Sequence, residues 1–250
     1  MKQRALATIR TMIAVPTFFL FTLAASAYVL VVVAVRPHSP HVDTVIQVWS
    51  RLFLTVAPIT WSVEGRDRID PDAQYIFVSN HLSNFDIPLL FRAIPNRIRY
   101  MAKAELFKIP LLAQAMSRVG IIKIDRGAGR AAHAGINRGV EVATEQGYSL
   151  IVFPESTRAR DGQFHGFKKG AFRIGITNDL PVVPVTIYGT WEVWRPGAWV
   201  FYPGQAKVVI HDPIPVEGLT VADIDALRQQ THDIVEASFN EMRDEAARAT

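Results

Sequence analysis

Apolar residues run almost unbroken from Ile13 to Val35, and no charged residue lies between Arg10 and Arg36. As a helix rising 1.5 Å per residue, that run would be about 35 Å long, enough to cross about 30 Å of hydrocarbon. A second apolar stretch, Thr44 to Val63, carries Arg51 as its single charge and has Trp49 and Trp61 in its two halves. Tryptophan is enriched at membrane–water boundaries. Between the two stretches, Arg36-Pro37-His38-Ser39-Pro40-His41 reads as a turn. The pattern predicts a two-helix hairpin over residues 1–63 that anchors the chain to a membrane, either crossing twice or lying within one leaflet. Other readings compete with it. Ala25-Ser26-Ala27 looks like a signal cleavage site, yet the apolar run continues past it to Val35. A single span with Lys2, Arg4 and Arg10 inside would put the rest of the chain outside the cytosol. Thr44 to Val63 also fits a buried helix of the domain that follows. The hairpin is favoured because the second stretch is nearly as apolar as the first.

From Glu64 onward the rhythm changes. Short β-branched runs at Tyr75–Ser79, Ile98–Ala102, Gly120–Ile124, Leu150–Phe153, Val182–Ile187 and Lys207–His211 alternate with helical stretches at Arg130–Gln146 and Leu219–Ala247. Strands interleaved with helices predict an α/β domain over residues 64–250, a mixed sheet covered by helices. No repeat or low-complexity tract interrupts it. Gly127 and Gly129 lack the third glycine of a dinucleotide fingerprint.

Composition narrows the chemistry. The 250 residues include no cysteine, which removes disulfides, thiolate nucleophiles and cysteine-ligated zinc. Lys+Arg number 27 against 23 Asp+Glu, a net charge of +4. That mild excess favours anionic partners. Without a dense basic run, a membrane surface is a more economical partner than nucleic acid.

The most informative stretch is Asn80-His81-Leu82-Ser83-Asn84-Phe85-Asp86, directly after an apolar strand-like run. On one continuous helix, residues five apart would face roughly 140° from each other. His81 and Asp86 can meet only if His81 lies in a loop and Asp86 in the first turn of a helix. Ser83 with Asp86 three positions on resembles a capping box, and Pro88 is tolerated only near a helix start. A carboxylate on one imidazole nitrogen fixes the tautomer and leaves the other nitrogen basic, as a general base for a hydroxyl requires. The bland reading is an exposed loop histidine beside a capping aspartate. Ser83 as a nucleophile is a third reading, but no nucleophile elbow surrounds it.

Three more blocks follow: Gly120-Ile121-Ile122-Lys123-Ile124-Asp125-Arg126, then Phe153-Pro154-Glu155-Ser156-Thr157-Arg158, then Val183-Pro184-Val185. In this order and spacing the four blocks resemble those of the glycerolipid acyltransferases, especially the 1-acylglycerol-3-phosphate acyltransferases, over roughly residues 60 to 215. Ser156 departs from the usual pattern, which has glycine there; glycine adopts backbone angles that serine resists.

The resemblance implies a catalytic His81–Asp86 pair. It implies that Lys103, Arg126 and Arg158 bind the acceptor's phosphate, and that Glu155 helps place its glycerol. Arginine suits phosphate through its planar fork. The alternatives are ion pairs of Arg126 with Asp125 and of Glu155 with Arg158. The implied reaction moves an acyl group from acyl-CoA or acyl carrier protein to the sn-2 hydroxyl of lysophosphatidate, giving phosphatidate. No metal and no cofactor beyond that co-substrate is expected. The expected partners are the lysolipid, the thioester donor (acyl carrier protein included) and membrane lipids, not nucleic acid. The expected location is a membrane, with the catalytic domain on its cytoplasmic face. Acylation of another lysolipid is the alternative within the class, and a membrane-bound esterase or thioesterase the alternative outside it. His133, His165, His211 and His232 show no metal-ligand spacing. Lys168-Lys169 reads as a solvated loop. Trp191, Trp194 and Trp199 fit either a membrane contact or the core.

Overall fold

A computed structural model describes residues 2–36, 39–57, 59–124 and 129–248. The first apolar stretch is one long helix, α1 (Lys2–Val35), and the second begins with α2 (His41–Val56). They run antiparallel. Phe18 meets Phe53 edge-on with centroids 3.9 Å apart, Trp49 Nε1 donates to Thr22 Oγ1 at 3.0 Å, and Val29 and Val33 cluster with Val42. Hydroxyls that would be costly in so apolar a helix bond back one turn: those of Thr11, Thr17, Thr22 and Ser26 each donate to the carbonyl four residues earlier.

The second apolar stretch divides. Ala57, preceding Pro58, takes the extended backbone that a following proline favours, and the helix ends at Val56. Ile59–Glu64 then forms strand β1, so the sheet begins ahead of the expected boundary at Glu64. α2 is also bonded to the domain. Its Asp43 accepts from Arg97 at 2.8 Å and from the buried Arg99 at 2.7 Å, and its Gln47 donates to the Phe91 carbonyl.

Among the described residues seven strands form one sheet in the order β1-β7-β6-β2-β5-β3-β4, with β2 (Ile76–Ser79), β3 (Ile98–Lys103), β4 (Ile122–Ile124), β5 (Ser149–Val152), β6 (Val182–Tyr188) and β7 (Gly204–Ile210). Only β6–β7 pair antiparallel, which makes the sheet mixed as expected. Successive β2 side chains feed opposite layers. Phe77 joins the core toward α2 and α3 (Asp86–Ala93), while Ile76 and Val78 join the core toward α5 (Gly129–Glu145). Burial on both faces explains why this strand reads as a continuous apolar run. Among the described residues, the short α-helices α4 (Leu112–Arg118), α6 (Gly170–Thr177) and α7 (Thr190–Val193) and the long α8 (Ile224–Arg248) accompany these elements. Because β2, β5, β3 and β4 are mutually parallel, the segments after them all leave from one edge of the sheet. In open α/β sheets that edge is where functional side chains collect.

Candidate active site

β2 ends at Ser79, and the chain enters a loop pinned from the start by buried Asn80. Its side-chain amide donates to the Ile187 carbonyl at 2.8 Å and accepts from the Ile187 N–H at 2.8 Å, as a neighbouring strand would. His81 follows in that loop, and Asp86 is the first residue of α3, the break that their spacing demanded. His81 Nδ1 lies 2.7 Å from Asp86 Oδ2. The same oxygen accepts from the backbone N–H groups of Leu82 and Ser83 at 2.7 and 2.8 Å, and Oδ1 accepts from the Thr190 hydroxyl at 2.6 Å. With Asp86 fully buried and accepting only, the imidazole proton belongs on Nδ1. Nε2 is then the free, basic nitrogen. The ring stacks on Phe153, centroids 4.0 Å apart and planes 16° from parallel, which holds its orientation.

The expected capping box forms by half. Asp86 caps the Ser83 N–H, but Ser83 Oγ accepts from Phe85 N–H at 3.3 Å instead of from Asp86. That hydroxyl is buried and donates to the Trp194 carbonyl at 2.8 Å, so it is not available as a nucleophile.

His81 opens on a cleft of about 520 Å³ lined also by Asn84, Tyr100, Lys103, Leu106, Phe153 and Arg158. Arg158 reaches across from the loop after β5, and its Nη1 donates to Asn84 Oδ1 at 2.7 Å. Lys103 sits at the end of β3 on the cleft wall. Arg126 lies outside the described residues; β4, which precedes it, ends at Ile124 on the same cleft. His81, Asp86, Lys103 and Arg158 are therefore brought together. Tyr100 lines a second, apolar pocket as well, whose walls include Trp49, Phe91 and Met116.

Glu155, expected to help place the acceptor's glycerol, is buried. It is 8% exposed, neither carboxylate oxygen has a hydrogen-bond partner, and it is not paired with Arg158. Burial pushes its pKa up to about 8 and the nearby Asp86 charge adds to the rise. The backbone N–H groups of His81 and His165 pull the other way, without reaching hydrogen-bond geometry. Its carboxyl is not part of the lining of the cleft on which His81 opens. Ser156, next to it, has φ +69°, the left-handed region that a glycine occupies without strain.

Asn80, Phe153 and Thr190 were not singled out from the sequence. Asn80 and Phe153 stand inside two of the blocks, whereas Thr190 follows Gly189 after β6 with no local cue to its partner 104 residues earlier. Of the isolated histidines, His232 proves to lie 3.2 Å from Asp233 and 3.8 Å from Glu236 on α8.

The sequence model of the family described as Acyltransferase matches residues 60–188. The chain is 34% identical over 183 residues to a 1-acyl-sn-glycerol-3-phosphate acyltransferase of Limnanthes douglasii, covering 73% of this chain and 64% of that one. It is 30% identical over 180 residues to the human protein named 1-acyl-sn-glycerol-3-phosphate acyltransferase alpha, with 72% and 64% covered. The chain thus spans somewhat under two thirds of the curated relatives it matches. The crystal structure of the 1-acyl-sn-glycerophosphate (LPA) acyltransferase PlsC from Thermotoga maritima is similar throughout, with a TM-score of 0.79 at 27% identity, covering 96% of this chain and 95% of that one. With the family match extending over half the sequence and the dyad at the sheet edge, this chain belongs to the acyltransferase family.

Proposed function

We propose that this chain transfers an acyl group from an acyl thioester, acyl-CoA or acyl carrier protein, to the sn-2 hydroxyl of 1-acylglycerol-3-phosphate, making phosphatidate. The observation that carries the reading is the His81–Asp86 contact, which leaves Nε2 free on a cleft that Arg158 and Lys103 also line. The names of the relatives agree with it. Nε2 takes the proton of the acceptor hydroxyl, and Asp86 holds the Nδ1–H and stabilises the imidazolium. The oxygen attacks the thioester carbon directly. As the tetrahedral intermediate collapses, the C–S bond breaks and the thiolate leaves, taking the proton from His81. Arg158 and Lys103 hold the phosphate, one as a fork and the other as a point charge. Arg126 joins them by resemblance. No cofactor or metal takes part. The decisive experiment supplies labelled acyl-CoA to a panel of lysolipids, with wild type and His81→Ala in parallel. Acylation of lysophosphatidate by wild type alone supports the reading; thiol release that ignores the acceptor would instead identify a hydrolase.

We also infer that α1 and α2 hold the enzyme on the cytoplasmic face of a membrane without crossing it. α1 has a mean hydropathy of 2.5 over its apolar window. Its packed face is buried in two groups, Ala7, Thr11 and Ala14 in the first half and Ser26, Val29 and Val33 in the second, while Leu6, Met12, Ile13, Leu20, Val31 and Val35 stay exposed. A helix about 50 Å long, packed on protein toward both ends and bare along its other side, lies naturally in the plane of one leaflet with that bare side in lipid.

A further inference from the structure

Trp199 is 92% exposed, the highest value among the large apolar side chains of the described residues. It tops the loop between α7 and β7, and that loop is braced throughout. Ala198 N–H donates to the Arg195 carbonyl at 3.0 Å to close the turn, Trp194 Nε1 donates to the Ala198 carbonyl at 2.9 Å, and Tyr202 N–H donates to the Val193 carbonyl at 2.9 Å. An indole presented to solvent from so supported a turn is not filling a core. From Pro196 to Pro203 the loop has no charged residue. Arg195 at its base sits over the Trp191 ring, its guanidinium carbon 4.0 Å from the centroid. The loop sits directly on the first half of α1: Phe201 N–H donates to Thr11 Oγ1 at 3.3 Å, and Phe201 and Trp194 share an apolar pocket with Ala14, Val15 and Phe18. The neighbouring outer face of α1 exposes Met12 and Ile13, at 71% and 65%.

We propose that the Arg195–Tyr202 loop is a second membrane contact, with Trp199 inserted in the interfacial layer of the bilayer beside the outer face of α1. The proposal rests on the reading that α1 lies in a leaflet. Continuity with that apolar face favours lipid over a protein partner. Indole suits the layer because its ring is apolar while its N–H still finds polar groups among the headgroups. Arg195, at the base, is placed to meet lipid phosphates. The contact would add a third point, beside α1 and α2, to fix the domain's tilt about the α1 axis.

The absence of cysteine makes the test clean. Single variants Trp199→Cys, Met12→Cys (outer face of α1) and Gln230→Cys (exposed on α8) are labelled with an environment-sensitive fluorophore. The full-length chain is then reconstituted on phosphatidylcholine–phosphatidylglycerol vesicles. Retained acyl transfer by each labelled protein verifies folding. The expected result is blue-shifted emission, quenched by lipid-borne nitroxides, at positions 199 and 12, and aqueous emission at 230. Immersion at 12 with aqueous emission at 199 overturns the proposal and leaves the α1 reading intact. Aqueous emission at both 12 and 199 overturns the α1 reading and the proposal together. Shielding at 199 that lipid nitroxides do not quench identifies a protein contact and also overturns it.

Discussion

Two acids lie beside His81, both shut away from solvent, and the chain treats them in opposite ways. Asp86 meets four donors: the imidazole, two backbone N–H groups and the Thr190 hydroxyl. Glu155 meets none, and desolvation takes its pKa up to about 8. The contrast teaches that burial by itself does not decide the state of an acid. The donors supplied with it do. A carboxylate with four donors can sit in the core and steady an imidazolium. An orphaned one keeps its proton, and a neutral acid beside Asp86 avoids setting a second negative charge against the dyad.

The largest effect should come from the acid that has its donors. Asp86→Asn keeps the shape but offers its amide, a donor, where acceptors are needed, and it frees the imidazole tautomer. We expect kcat to fall about 10²–10⁴-fold, as for His81→Ala. A loss under tenfold for Asp86→Asn would break the comparison, since the four donors would then serve structure alone.

Glu155 supplies the next effect, through stability. Below its ordinary value of 4.5 the carboxyl is protonated in folded and unfolded chains alike, and no penalty arises. Between 4.5 and about 8 the unfolded chain releases the proton while the fold retains it, so stability falls as pH rises. Above about 8 the loss is complete, on the order of 3–5 kcal/mol. Glu155→Gln should therefore unfold at a higher temperature than wild type at pH 8.5 and at nearly the same temperature at pH 4.5. Equal differences at both pH values would show that the carboxyl has partners in solution. The same variant sharpens the site assignment, because a buried acid without contact to acceptor should leave the KM for lysophosphatidate unchanged.

Arg158, three residues on, tests the opposite end of that loop, where the side chain faces the cleft. Arg158→Ala should raise the KM for lysophosphatidate about 10–100-fold, the worth of a charge-assisted hydrogen bond to phosphate. Turnover of an acceptor without phosphate should change little. An unchanged KM for the phosphorylated acceptor would leave Arg158 as a brace for Asn84 alone.

How much of this was readable in the chain depended on the distance over which each feature is determined. The His81 loop and the start of α3 were legible because Ser83, Asp86 and Pro88 carry their constraint within a few residues. The strands after Glu64 were legible from β-branched runs. β1 was not: Thr44 to Val63 reads as one apolar stretch, and its division turns on Pro58 and on pairing with β7, where Ile59 meets Gly204. The resemblance gave Glu155 a part in placing the acceptor's glycerol, but its burial without a partner depends on what the fold leaves out around it. Thr190 could not be found at all, because nothing local marks a hydroxyl destined for an acid 104 residues earlier, beyond the end of the neighbouring parallel strand β2.

The smallest effect expected is at Ser156, between the orphaned acid and the cleft. At φ +69° a serine pays steric strain on the order of 1–3 kcal/mol, which glycine avoids. Glycine also has more conformational freedom to lose on folding, about 0.5–1 kcal/mol. Ser156→Gly should therefore stabilise the protein by on the order of 1 kcal/mol, measured by denaturant unfolding with an unchanged m-value. If the loop conformation is already that of the glycine-bearing relatives, the KM for lysophosphatidate should not move with it. A large shift in acceptor preference would mean that the serine hydroxyl, on the cleft wall beside Thr157 and Arg158, contacts the headgroup directly. That outcome would tie selectivity to a block position where this chain departs from the usual pattern.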